Sequence, residues 1–176
     1  IVSGFHTDPV GLLLSHRADW AIVSEVEHND DVIFKPLFSY EMVGICSKDH
    51  PLAEKEIWDA EDFADETWVT YPVPDDMLDL LRKVLKPKGI NPTRRTTELT
   101  IAMIQLVASR RGIATIPYWA ALPYLEKGYV VARKVTKEGL YSNLYAAIRK
   151  EDESLSYLED FYQTVKAQSF STLPGL

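Results

Sequence analysis

The stretch QLVASRRGIATIPYWA, residues 105–120, decides how this chain folds. It opens as an apolar helical run, meets Arg110, Arg111 and Gly112, and resumes at once as IATIP. The spacing predicts a helix from about Glu98 to Arg110, whose last turn gains from two positive side chains. Gly112 is expected to supply the left-handed residue that closes it. Residues 113–117 then read as a short central strand, apolar because helices would cover both faces. Pro117 ends the strand, since proline has no N–H to give a sheet ladder.

Outward from this stretch the same alternation recurs. Residues 7–19 read as a helix, capped by Asp8 or Thr7 with Pro9 in its first turn, feeding a short buried strand in WAIVSE. VIFKPLF and YEMVGICS read as two further strands, and TWVTYP as another. Between them the polar, turn-rich residues 49–66 hold a short helix near Ala60–Ala64. Residues 74–92 predict a helix burying Met77, Leu78, Leu81, Val84 and Leu85 on one face, with Asp75 and Asp76 at its positive end. TRRTTEL reads as a strand or its end. YWAALPYLEKG reads as a helix with a possible kink at Pro123; strands in YVVARKV and SNLYAAIRK and a final helix near 154–168 follow. The tail, residues 171–176, looks irregular. Strand and helix alternate throughout, so the fold class is α/β, with two small helix-covered sheets suiting the length.

Composition excludes several classes. The 176 residues are 46% hydrophobic with a net charge of −7. That balance argues against the chain gripping phosphate backbones by itself. A single cysteine, Cys46, rules out an internal disulfide. No apolar run approaches the roughly 18 residues of a membrane helix, and no signal-peptide pattern opens the chain. It starts without methionine on IVSGF, which reads as the end of a strand, so a fragment of a longer protein is expected.

Catalytic motifs are absent. His6, His16, His28 and His50 lack paired metal-ligand spacing, so no metal is expected. No Gly-rich phosphate loop, no G-x-S-x-G motif and no cofactor signature occurs. Cys46 lies in an alternating strand and reads as a buried structural thiol. The acidic runs EDFADE and EDESLSYLED read as solvated helix surfaces.

ADWAIVSE, PLFSYEMVGICSKDHPLA, DAEDFADETWVTYP and IQLVASRRGIATIPYW occur in the order and spacing of the effector-binding domain of LysR-type transcriptional regulators. Each motif alone is weak; their colinearity over nearly the whole chain resembles that family, and within it most closely the regulators of methionine biosynthesis. The resemblance implies a periplasmic-binding-protein type II-like fold, two Rossmann-like lobes joined by two crossover strands, with a small effector held between them. It implies a first lobe of residues 1–67 plus 150–170 and a second of 68–149. The family's winged helix-turn-helix, its linker helix and the first strand and helix of its first lobe have no counterpart here. DNA would be bound only through that absent domain. A cytoplasmic, non-enzymatic protein that pairs as a homodimer or higher homo-oligomer, first lobe against second, is also implied, as is homocysteine for the effector.

A zwitterionic amino acid needs donors for its carboxylate, and a helix amino terminus offers free N–H groups and a positive dipole end. In the family layout two such termini line the site. One carries Thr97 and Thr100; the other follows Tyr71 and Pro72. For Thr97, simple helix capping is the competing reading. Phe5, His6 and Thr7 in the loop GFHTDP, and Ser24 at a strand end, complete the expected contacts, with Ile116 and Pro117 as wall. Tyr118 and Trp119 read as core or helix-face residues. Two alternatives share this fold: a transporter's solute-binding protein, marked by an export signal, and an enzyme, marked by convergent titratable side chains.

Overall fold

The computed structural model describes residues 8–176. Phe5, His6 and Thr7 therefore lie outside the described residues. The chain parts into two compact units. One runs to Tyr40 and resumes at Ser142–Pro174 and Leu176; the other is Glu41–Tyr141 with Gly175.

Both divisions fall inside strands. β2 runs unbroken from Val32 to Cys46, where the sequence suggested two strands, and β8 runs from Leu140 to Arg149. The two units divide at Tyr40/Glu41 and Tyr141/Ser142, inside these two strands. The turn-rich stretch 49–66 packs into its own unit through Trp58 and Phe63, both fully buried.

In the first unit, α1 (Pro9–Leu14) starts as expected: Asp8 Oδ1 accepts the Gly11 N–H at 2.7 Å and Pro9 sits in the first turn. β1 (Ala21–Val23) pairs antiparallel with β8, Ala21 opposite Ala147, and β8 lies next to β2. Arg149 closes β8. Its guanidinium donates to the carbonyls of Leu13 at 2.9 Å and Ala18 at 2.6 Å, to Asp19 at 2.9 Å and to Asp152 at 2.6 Å. α4 (Ser156–Thr172) extends two residues into the expected tail. Its Leu158 and Tyr162 are buried, and the Tyr162 hydroxyl donates to the Pro36 carbonyl at 2.6 Å.

The second unit is built on six strands in the order β5-β4-β6-β2-β7-β3. These are β3 (Ile57–Trp58), β4 (Thr67–Thr70), β5 (Thr93–Thr96), β6 (Ile113–Pro117), β7 (Val131–Val135) and the second half of β2. β4 is parallel to β5 and β6, and β3 to β7; β2 runs antiparallel to both its neighbours. α2 (Thr100–Ala108) and α3 (Tyr118–Leu125, with Pro123 inside) flank β6 in sequence. Alternation along the strands sends Trp68 and Ile113 to one core with Phe63 and Leu85. It sends Val69, Ala114 and Ile116 to the other, with Met103, Ile104 and Val107 of α2. Both faces are covered, which is why β6 is apolar throughout its first two residues and at Ile116.

Two local expectations are corrected. α2 ends at Ser109, and the left-handed residue is Arg110 at φ +58°, not Gly112. The Arg110 N–H donates to the Val107 carbonyl at 3.0 Å and the Arg111 N–H to that of Leu106 at 2.9 Å, the paired bonds of a Schellman ending. Gly112, at φ +140°, is buried against the backbone: a Cβ there would collide with the Thr67 carbonyl oxygen. Residues 75–88 form no single helix. A 3₁₀ turn (Asp75–Met77), an extended Leu78, a wide helical turn (Leu80–Leu85) and a second 3₁₀ turn (Lys86–Lys88) follow one another. The break rotates Met77 out to 37% exposure, while Leu78, Leu81, Val84 and Leu85 stay buried.

Candidate functional site

Tyr71 directly follows β4 and Thr97 directly follows β5, so both sit at carboxyl ends of parallel strands. This is where open α/β sheets place ligands. The Thr97 N–H donates to the Thr70 carbonyl at 3.0 Å, which carries the β4–β5 ladder one step further. Thr97 Oγ1 accepts the Leu99 N–H at 3.4 Å, a weak local turn ahead of α2 rather than the helix cap that was its competing reading. Thr100 then opens α2, and its hydroxyl lies 2.6 Å from the Tyr71 hydroxyl.

That pair joins a strand end to a helix start. Leu99, the residue before α2, is 63% exposed, and no side chain caps the helix. Burial raises the Tyr71 phenol above its ordinary range, with the Thr100 hydrogen bond pulling weakly the other way. At neutral pH the pair is two uncharged hydroxyls beside a positive dipole end, a set that can donate to an anion without adding a formal charge.

The remaining expected residues divide. Pro72 is exposed in the turn after Tyr71, and Pro117 is half-buried at the end of β6. Ile116 is fully buried among α2 and α3 side chains, so the strand's alternation makes it core rather than wall. Ser24 is exposed just after β1 in the other unit. Tyr118 and Trp119 are half-buried at the start of α3.

The model of the LysR substrate binding domain matches residues 1–169. The chain belongs to this family. As a LysR domain it is 95% identical over all 176 residues to the HTH-type transcriptional regulator MetR of Haemophilus influenzae, and spans 57% of that protein. It is 35% identical over 172 residues to MetR of Escherichia coli K12, covering 98% of this chain and 54% of that protein. The regulatory domain of MetR from N. meningitidis, a LysR family regulator, superposes with a TM-score of 0.92 at 66% identity. That match covers 99% of this chain and 81% of the other. The chain thus spans little more than half the length of the curated relatives it matches. These relatives are named as transcriptional regulators, a non-enzymatic class, and the expected periplasmic-binding-protein type II-like fold stands.

Other residues of this LysR domain explain themselves structurally. His50 of the HPLA stretch caps a 3₁₀ turn (Pro51–Glu54), its Nδ1 accepting the Leu52 N–H at 3.2 Å while Nε2 faces Glu66 at 3.4 Å. Cys46 is fully buried, and burial pushes its thiol up to about 11. Arg94 was missed in sequence as more than a strand residue. It grips Asp75 at 2.5 Å and lies 5.9 Å from the centre of the Trp68 ring. Nothing in the spacing of 75 and 94 announces this pair; only the β4–β5 register brings Arg94 beside Trp68.

Proposed function

We propose that this domain senses a small amino-acid metabolite, homocysteine or a close analogue, for a regulator of methionine biosynthesis. The observation that carries the proposal is the Tyr71–Thr100 hydroxyl pair at the head of α2, beside the carboxyl ends of β4 and β5. The helix start favours a carboxylate, and the uncharged hydroxyls suit a ligand whose side chain carries no charge. The kinship with MetR proteins supports the effector class. Thr97, Pro72 and Pro117 border the same strand and helix ends. DNA recognition belongs, in this reading, to a winged helix-turn-helix of the full-length cytoplasmic protein, which works as a homo-oligomer.

Calorimetry on the full-length protein with homocysteine, methionine and cysteine tests this. Homocysteine is expected to give the strongest binding. Thr100→Val is expected to weaken it by roughly tenfold, the loss of one hydrogen bond to a charged group. Equal or absent heat for all three compounds rejects the assignment.

A further inference from the structure

Tyr71 and Thr100 meet on one face of the second unit's sheet, but the loop that carries Tyr71 does not stay there. Tyr71 packs on the core shared with α2, and Val73 packs on the opposite core, the one that contains Trp68. Residues 71–75 therefore pass across the end of the sheet, from one face to the other. Pro72 and Pro74 fix two backbone φ angles and stiffen the passage.

The near end of this loop is held by the ladder, where the Thr97 N–H donates to the Thr70 carbonyl at 3.0 Å. The far end is held by Arg94. Its guanidinium donates to both oxygens of Asp75, at 2.5 and 3.3 Å. The buried ring of Trp68, its register partner on β4, lies 5.9 Å from the guanidinium carbon and gives it a fixed floor. Lys86 adds a looser contact with Asp75 at 3.4 Å. The Arg94 side chain is 28% exposed and that of Asp75 45%, so solvent screens the pair and its share of global stability is small. Its local effect is larger, because it sets where a short, stiff loop ends.

Resting on the sensing role proposed above, we infer that Arg94 is a positioning residue of the effector site: by gripping Asp75 on one face of the sheet, it holds the Tyr71 hydroxyl against Thr100 on the other. It acts through the loop and not on the ligand. A site already held in its bound geometry loses less freedom when the ligand arrives. Releasing the loop therefore lowers affinity while every group that touches the effector is still present.

Calorimetry with homocysteine on the full-length protein tests this role against two simpler ones. Asp75→Asn frees the loop and leaves the Arg94 charge without its partner. If Arg94 acted by charge alone, a carboxylate ligand would then bind more tightly. Positioning gives the opposite sign, and binding is expected to weaken by about fivefold. Arg94→Met is expected to weaken it by a similar factor, and Arg94→Lys, which keeps a cation, to recover part of the loss. Neither loss is expected in a Tyr71→Phe background, where the hydroxyl to be positioned is gone. The melting temperatures of Asp75→Asn and Arg94→Met are expected to stay close to that of the wild type. A merely structural role would lower them and leave affinity unchanged. Tighter binding by Asp75→Asn, unaltered affinity of both variants, or equal losses with and without the Tyr71 hydroxyl overturns the inference. If the wild type itself gives no heat with homocysteine, the sensing role fails and this inference with it; wild-type binding with unaltered variants overturns this inference alone.

Discussion

Arg149 is among the least replaceable residues of the first unit. Its side chain is 7% exposed and holds two main-chain carbonyls and two carboxylates from three separate segments. Its pKa is raised chiefly by the Asp19 hydrogen bond, so it stays charged at any working pH. Arg149→Gln strands carbonyls that no solvent replaces and is expected to cost roughly 2–4 kcal/mol. Urea unfolding checks this; an unchanged midpoint would show that the network carries no net stability. Cys46 gives a pH prediction. Its folded pKa of about 11 lies above the ordinary 9.0, so the folded state holds its proton more tightly. That contribution is fully present below pH 9 and is lost as pH rises from 9 through 11. Native protein is expected to resist thiol reagents at neutral pH and to react at once in denaturant. Ready reaction of the native thiol would contradict its burial.

At the scale of elements, the helix-to-strand junction was legible because each part obeys a local rule. An apolar period of 3.6 gives α2, and a run covered on both faces gives β6. The position of the left-handed residue was not legible, because glycine at 112 answers a tertiary demand, the approach of Thr67, rather than the helix ending. Gly112→Ala adds a side chain at φ +140° against that carbonyl and is expected to destabilise by about 3 kcal/mol or more. Thermal melting measures it; a loss below about 1 kcal/mol would mean that β4 and α2 can separate freely. Residues 75–88 show the reverse failure. Their apolar spacing fits one helix, yet Pro74 and Pro87 bracket a segment that breaks at Leu78, and Met77 leaves the core. The candidate site was legible in part. Tyr71, Thr97 and Thr100 followed from strand and helix ends, but their mutual contact depends on the parallel register of β4 with β5, which no local spacing encodes.

For the whole molecule, the pattern of alternating strands and helices gave the α/β class, while the unit boundaries hid inside two long strands with no linker composition to mark them. The two units differ in kind. Apart from Gly175, the second is one continuous stretch, Glu41–Tyr141, with a core on each face of its sheet. The first is assembled from two separate stretches. Residues 41–141 expressed alone are therefore expected to unfold cooperatively in urea, with Trp58 and Trp68 giving a near-ultraviolet signal of fixed packing. A gradual transition without that signal would show that the stretch needs its neighbour.

This interleaving also sets an order of events on the ribosome. The stretch ending at Tyr141 is complete while α4 has yet to be synthesised, so its sheet can close first. The strand β8, placed between β1 and β2, is supplied only afterwards, and with it Arg149 and the helix that covers the first core. Until those last segments emerge, α1 and β1 wait with their apolar faces open to water, although they are made before the second unit.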